Sequence, residues 1–123
     1  MYDTIASRPS IRYFLQLSRI TQVEDELVDY DYLTSHQPGA KFAPFYFLAG
    51  KLFTRNMANI YKSLSMPVLM AYANDWATTY DKLGALKKNA NILLRDFSGG
   101  SKGLIQYDNL PGLTAAMDEI LDR

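Results

Sequence analysis

The sequence has no cysteine, one histidine, and no excess of charge of either sign. Without cysteine, disulfides and thiolate metal sites are excluded, and a single histidine is too few for an imidazole metal site. Thirteen basic residues balance thirteen acidic ones and form no basic stripe, so nucleic-acid binding is not expected. We therefore predict no metal and no other cofactor.

Long apolar runs are lacking as well. The longest stretches, such as MPVLMAYA over Met66–Ala73, are far shorter than the ~20 residues that a membrane helix requires. The opening residues lack the basic-then-apolar order of a signal peptide. We therefore expect a soluble, cytoplasmic protein without a transmembrane segment.

Aromatic residues, in contrast, are abundant, with nine tyrosines and six phenylalanines among 123 residues. Hydrophobic residues make up 48% of the chain, which is typical of a folded protein and is enough for one domain. Aromatic residues at this density build protein cores and protein interfaces alike.

Four helices are predicted in the first half, residues 1–64. Pro9 suits the first turn of one helix, since its missing N–H is no loss there. The sequence TQVE at Thr21–Glu24 matches a capping box that would begin a second helix. Pro44 opens a third, strongly aromatic helix, and a fourth covers Asn56–Leu64.

The second half, residues 65–123, changes character. The apolar run Pro67–Ala73 has no period-2 alternation, which predicts a buried parallel strand. A helix is predicted over Ala77–Asn89 and a second strand over Ala90–Phe97. A final helix follows, with Asn109 as its N-cap and Pro111 in its first turn.

This order of elements predicts the α/β fold class in one structural domain. A helical cap-like segment, residues 1–64, precedes a partial parallel sheet with strand–helix–strand–helix order, residues 65–123. Two parallel strands joined by a helix form a right-handed crossover.

The second half resembles the C-terminal end of the α/β-hydrolase fold. The stretch MPVLMAYANDW is similar to the strand and loop that carry the acid of the catalytic triad, which implies an acid position at Asp75. The stretch NILLRDFSGGSKGLIQYD resembles the final strand and histidine loop, with Gln106 where the histidine is expected. Residues 8–64 are similar to the helical cap of these enzymes. The resemblance implies an incomplete α/β-hydrolase fold.

The departures from this family remove its chemistry. The nucleophile elbow G-x-S-x-G is absent. Gln106 cannot carry a proton between a nucleophile and a leaving group near neutral pH. The acid of a triad serves to orient the histidine, so Asp75 is predicted to be a vestigial acid. Its other interpretation is a solvated loop residue or a helix cap.

Three aromatic residues are candidate binding residues. Trp76 has two interpretations: it lines a pocket, or it fills space beneath the helical segment. Phe45 and Phe47 cover an apolar ligand, contact another protein, or belong to an ordinary core helix. His36, the only histidine, has no nucleophile or orienting group near it in the sequence.

The predicted sheet is incomplete, because a continuous apolar strand needs cover on both faces and partners at its edges. We therefore predict a protein partner or a homo-oligomer that uses the exposed strand edge and the aromatic helices. The leading hypothesis is a non-catalytic accessory or interaction subunit. One alternative is half of a two-chain esterase whose serine lies on another chain, and a second is a binder of small apolar ligands without turnover.

Overall fold

The computed structural model describes residues 1–122, which form helices and a two-stranded parallel sheet. Within these residues there are eight helices and two strands. In chain order they are α1 Tyr2–Ile5, α2 Arg8–Leu17, α3 Asp25–Ser35, α4 Phe42–Leu48, α5 Met57–Ser63, β1 Val68–Tyr72, α6 Leu83–Leu86, β2 Ile92–Asp96, α7 Ile105–Asp108 and α8 Leu110–Leu121. The chain forms two compact units.

The first unit comprises Met1–Gln16 and Gln22–Arg55, and its regular elements are all helices, α1 to α4. Pro9 lies in the first turn of α2, as predicted. The buried apolar side chains of this unit are those of Ala6, Val23 and Val28. Arg8 links α2 to α3 through an ion pair with Asp29, in which Nε and Oδ1 are 2.7 Å apart.

The capping box predicted at Thr21–Glu24 is wrong. Helix α3 begins later, at Asp25, with Glu24 in the N-cap position and no side-chain cap. Thr21 belongs instead to the second unit, where its hydroxyl donates to Asp108. The capping-box pattern gave a wrong prediction because Asp108, which is far away in the sequence, accepts the hydrogen bond of the Thr21 hydroxyl.

The second unit comprises Leu17–Thr21 and the chain from Asn56 onward, and it contains the sheet. Strands β1 and β2 are parallel, in a register that runs from Val68 opposite Ile92 to Tyr72 opposite Asp96. Helix α8 packs against β1, and Glu119 on this helix pairs with Arg95 on β2. The buried residues of the unit are Arg19, Ala73, Ile92, Leu93, Ser101, Ile105 and Ala116.

The second half follows the predicted order, and the start of α8 is confirmed in detail. The Asn109 side chain accepts the Gly112 N–H at 3.0 Å, and Pro111 occupies the first turn. Strand β1 differs from its prediction, because all five of its residues are half-buried instead of fully buried. A sheet of two strands cannot enclose β1 on both sides.

The helix predicted over Ala77–Asn89 shrinks to a single turn, α6. The Asp75 carboxylate holds residues 75–78 in a turn. This turn ends with Thr78, and a second threonine follows at position 79. Threonine and glycine, the latter at position 84, both have poor helix propensity. Composition alone overestimated the length of this helix.

Candidate functional site

The loops that follow β1 and β2 meet at the carboxyl end of the sheet. Asn74 and Lys102 form an isolated parallel bridge between them. Gly103 lies against Asp75 so closely that a Cβ atom added to this glycine would lie 3.1 Å from the Asp75 Cγ. In open α/β proteins, ligands bind outside the carboxyl ends of the strands. This meeting point is therefore the natural place to look for a site.

Asp75 holds the first of these loops. Its carboxylate accepts the Ala77 N–H at 3.2 Å and the Thr78 hydroxyl at 2.8 Å. This is the pattern of an Asx turn, in which a side chain caps the backbone that follows it. The geometry fits the interpretation of Asp75 as a loop cap, and its descent from a triad acid stays a prediction.

Trp76 lies at the same end of the sheet. It is 58% exposed, and its indole N–H donates to the Ser18 hydroxyl at 3.0 Å. It borders a groove of about 380 Å³, together with Leu17, Asn74, Asp75, Thr78, Tyr80 and Lys102. Desolvation and the nearby Asp75 carboxylate raise the pKa of the Tyr80 phenol, so this phenol is neutral at physiological pH. The groove thus combines aromatic surface with one cation, Lys102.

The lining of this groove lacks the serine and the histidine that triad chemistry uses. Its one aliphatic hydroxyl, on Thr78, donates to the Asp75 carboxylate, and the lining contains no histidine. His36 belongs to the other unit, where its Nδ1 lies 2.7 Å from the Tyr32 carbonyl oxygen. The serine–histidine pair of a hydrolase is therefore not assembled in the lining of this groove.

The remaining predicted site residues lie on exposed helices. Gln106 is exposed on α7. Phe45 and Phe47 are 41% and 53% exposed on α4. Phe45 contacts the Tyr2 ring at a centroid distance of 6.3 Å, and Phe47 contacts Phe53 at 5.2 Å. The two phenylalanines thus contribute to an exposed aromatic surface, and α4 is not a helix buried in the protein core.

Sequence analysis missed a polar cluster around Asp108. The carboxylate of Asp108 accepts the Ile20 N–H at 2.9 Å, the Thr21 N–H at 2.9 Å and the Lys102 N–H at 3.1 Å. The hydroxyls of Thr21 and Ser101 donate to it as well. These contacts fasten the segment Leu17–Thr21 to the loop after β2.

The electrostatics of Asp108 follow from these contacts. Partial desolvation raises the pKa of Asp108, but the backbone N–H groups and the Thr21 hydroxyl outweigh it and lower this pKa to about 2. Beside it, Arg19 is only 2% exposed and its guanidinium lies over the Tyr107 ring, 4.6 Å from the centroid. The sequence around Asp108 does not indicate this role, because two of its hydrogen-bond donors lie 87 and 88 residues away in the chain. The cluster has the character of a structural clamp.

The outer edge of β1 is the second candidate site. The ladder between the strands starts with the Val68 N–H donating to Asn91 and ends with the Phe97 N–H donating to Tyr72, both at 2.8 Å. Alternate residues of a strand face the same neighbour, so Leu69 and Ala71 direct their N–H and C=O groups away from β2. Within residues 1–122 no protein group hydrogen-bonds to these four backbone groups.

A third feature is a groove of about 450 Å³ beside α5 and α6. Its lining is mainly apolar and includes Lys62 and Lys82, neither of which forms a salt bridge within the described part of the chain. The lining residues are Met57, Ala58, Tyr61, Lys62, Thr79, Tyr80, Asp81, Lys82, Leu83, Ala85 and Leu86. This groove is lined by neither Phe45 nor Phe47.

No family model matches the chain, and neither the curated proteins nor the solved structures contain a significant match to it. Over residues 1–122, no helix is long and apolar enough to cross a bilayer. The same residues contain no group of three or more His, Cys, Asp or Glu side chains arranged to hold a metal ion.

The contact between the two loops yields a testable prediction. Gly103→Ala is expected to lower the free energy of unfolding by about 1 kcal/mol, because the new methyl group would press on an Asp75 side chain that two hydrogen bonds hold in place. Urea denaturation measures the loss. Gly99→Ala, in the same loop but with open space around it, is the matched control and should have little effect. If the loss persists in an Asp75→Ala background, the Asp75 contact is not its cause.

Proposed function

We propose that this chain is a non-catalytic interaction module, a truncated relative of the α/β hydrolases, whose β1 edge pairs with a strand of another polypeptide. The observation that carries the proposal is the row of free backbone groups at Leu69 and Ala71. Such an edge is a ready template for β-augmentation, in which an added strand supplies main-chain hydrogen bonds.

The surface of the helical unit supports the same proposal. All residues from Lys41 to Arg55 are exposed, although this stretch is rich in large apolar side chains. The most exposed are Phe42, Phe47, Leu48, Leu52 and Phe53, each more than half accessible. Large exposed apolar side chains that lie together, as Phe47 and Phe53 do, are typical of surfaces through which proteins associate.

The strand-end loops support the non-catalytic part of the proposal. Gln106 lies where the resemblance expects a proton carrier, and Asp75 uses its carboxylate to cap a turn. Triad chemistry uses a histidine that takes the proton of the nucleophile, and the lining of the groove beside Asp75 contains no histidine.

The proposal is tested by hydrogen exchange on dilute protein, at low micromolar concentration. We expect the Leu69 and Ala71 amides to exchange rapidly and the Met70 and Tyr72 amides, which face β2, to be slower by about tenfold or more. Equal protection of all four amides in dilute monomer would contradict the open edge. In parallel, hydrolysis of a p-nitrophenyl ester should not exceed that of a heat-denatured sample, and a clear excess would refute the non-catalytic assignment.

The groove beside α5 and α6 favours a second candidate function, the binding of a small apolar anion. Its volume of about 450 Å³ falls within the range of about 300–1,000 Å³ that is common for ligand pockets. Lys62 and Lys82 outnumber the single carboxylate of the lining, Asp81. The matching ligand has an aliphatic or aromatic body and one carboxylate.

This second function predicts binding of dodecanoate, measured by isothermal titration calorimetry. Changing both lysines, Lys62→Gln and Lys82→Gln, should weaken binding by about 3–10-fold, since each exposed charge contributes under about 1 kcal/mol. Lys102→Gln, in the other groove, is the matched control and should leave the affinity unchanged. Because Lys102→Gln removes one charge and the double variant removes two, a control with half the free-energy loss of the double variant would show that the lysines act only through net charge.

A further inference from the structure

The free edge of β1 is complementary to a second copy of itself. Its two outward residues, Leu69 and Ala71, each present one N–H and one C=O, and they are two positions apart along the strand. We propose that two copies of this chain associate through antiparallel pairing of their β1 strands about a two-fold axis at Met70. This inference rests on the proposed function, and it identifies the partner strand as the β1 strand of a second copy of this chain.

In this arrangement Leu69 of one copy lies opposite Ala71 of the second copy, and Ala71 lies opposite Leu69. Residues that face each other with both groups directed across the gap exchange two hydrogen bonds. Two such pairs satisfy all the free N–H and C=O groups of both edges. The same patch serves both copies, which is the defining property of a closed two-fold interface.

Parallel self-pairing about a two-fold axis, which requires equal register, does not satisfy the same groups. In a parallel ladder, a residue bonds to the positions just before and just after the residue opposite it. Two copies in equal register would then need outward groups on Met70, and these face β2 instead. The alternation of the strand, combined with two-fold symmetry, therefore selects the antiparallel arrangement.

The register is also restricted. Sliding the strands so that Leu69 faces Leu69 places Ala71 opposite Pro67, which has no N–H to donate. Sliding them the other way, so that Ala71 faces Ala71, places Leu69 opposite Ala73, which is only 1% exposed. Of the antiparallel registers that bring outward residues together, the one centred on Met70 is free of both obstacles.

The charge distribution favours β1 over β2 as the paired edge. None of the five β1 residues is charged, and the whole chain has a formal net charge of zero, so no repulsion opposes the approach of two copies. Strand β2 ends in Asp96, and its Ile92 N–H already donates to the Asn89 carbonyl at 3.1 Å. Charged residues on an edge strand oppose pairing with a second strand.

The test exploits the absence of cysteine. In the proposed register Met70 faces Met70 of the second copy as a pair without hydrogen bonds, with Cα atoms about 4.5 Å apart, which lies in the range that a disulfide spans. Met70→Cys should therefore give a covalent dimer under mild oxidation, measured by non-reducing electrophoresis and mass spectrometry. Val68→Cys is the matched control, on the same face and strand, because its counterpart would lie roughly 13 Å away.

We expect at least about tenfold more covalent dimer from Met70→Cys than from Val68→Cys at equal protein concentration and oxidant. Adding Ala71→Pro, which removes one outward N–H and leaves the ladder to β2 intact, should abolish the cross-link while circular dichroism stays unchanged. Equal or absent cross-linking in the two cysteine variants overturns the dimer. A cross-link that survives Ala71→Pro in folded protein overturns it too.

Hydrogen exchange separates failure of the dimer from failure of the proposed function. In wild-type protein, the Leu69 and Ala71 amides should become protected as the concentration rises from about 1 µM to about 1 mM, as mass action requires. Rapid exchange at both concentrations overturns the dimer but leaves an open edge for a different partner. Protection at both concentrations, in protein that sediments as a monomer, overturns both proposals.

Discussion

Leu93→Asp is expected to unfold the unit that contains the sheet. Leu93 is in β2 and is only 7% exposed, so the substitution would place an unpaired carboxylate in the core. We expect a loss of about 4 kcal/mol or more, which is close to the whole stability of a small domain. Far-ultraviolet circular dichroism and urea denaturation measure it.

Leu69→Asp is the matched control for this prediction. Leu69 lies opposite Leu93 in the sheet, but it is on β1, whose five residues are all half-buried. A carboxylate there reaches water, so the expected loss is only about 1–2 kcal/mol in dilute protein. Losses of equal size for the two variants would show that β1 is as enclosed as β2.

Asp108→Asn is expected to lower the free energy of unfolding by about 2 kcal/mol, because hydrogen bonds to a charged acceptor are the stronger ones and the amide replaces one acceptor oxygen by a donor. The new NH₂ group would face either the Lys102 N–H or the N–H groups of Ile20 and Thr21. Asp118→Asn, on the exposed surface of α8, is the control and should change little. A wild-type unfolding midpoint in Asp108→Asn would contradict the role of the clamp.

The same carboxylate predicts a pH dependence. The pKa of Asp108 falls from an ordinary value of 3.8 to about 2 in the folded chain, so the folded state binds the proton less readily than the unfolded one. Its contribution to stability is complete above about pH 4 and is lost as the pH falls towards 2. Asp108→Asn should lack this part of the acid-induced loss. Parallel stability–pH curves for the two proteins below pH 4 would contradict the assignment.

Sequence alone predicted the elements whose causes are local. Pro9 and Pro111 mark the first turns of α2 and α8, and the Asn109 cap satisfies an N–H only three residues away. The apolar runs around Leu69 and Leu93 were enough to place both strands, because an uninterrupted apolar run is typical of parallel strands.

The rest depends on contacts between distant parts of the chain. Thr21 matched a helix cap by spacing, but Asp108, 87 residues away, binds its hydroxyl. The composition around Leu83 favoured a long helix, whereas the turn at Asp75 takes up its first residues. The candidate site was predicted only in part. Asp75 and Trp76 were expected in the loop after the first strand, where they lie, but nothing in the sequence indicated that Gly103 approaches that loop.

The position of Trp76 has a spectroscopic consequence. It is the only tryptophan of the chain, it is well exposed, and its indole N–H is bonded to Ser18 at the rim of the strand-end groove. Intrinsic fluorescence excited at the red edge of the absorption band therefore reports on this one locality. A molecule that enters the groove displaces water from the indole and shifts its emission to shorter wavelength, so occupancy can be followed without an attached dye.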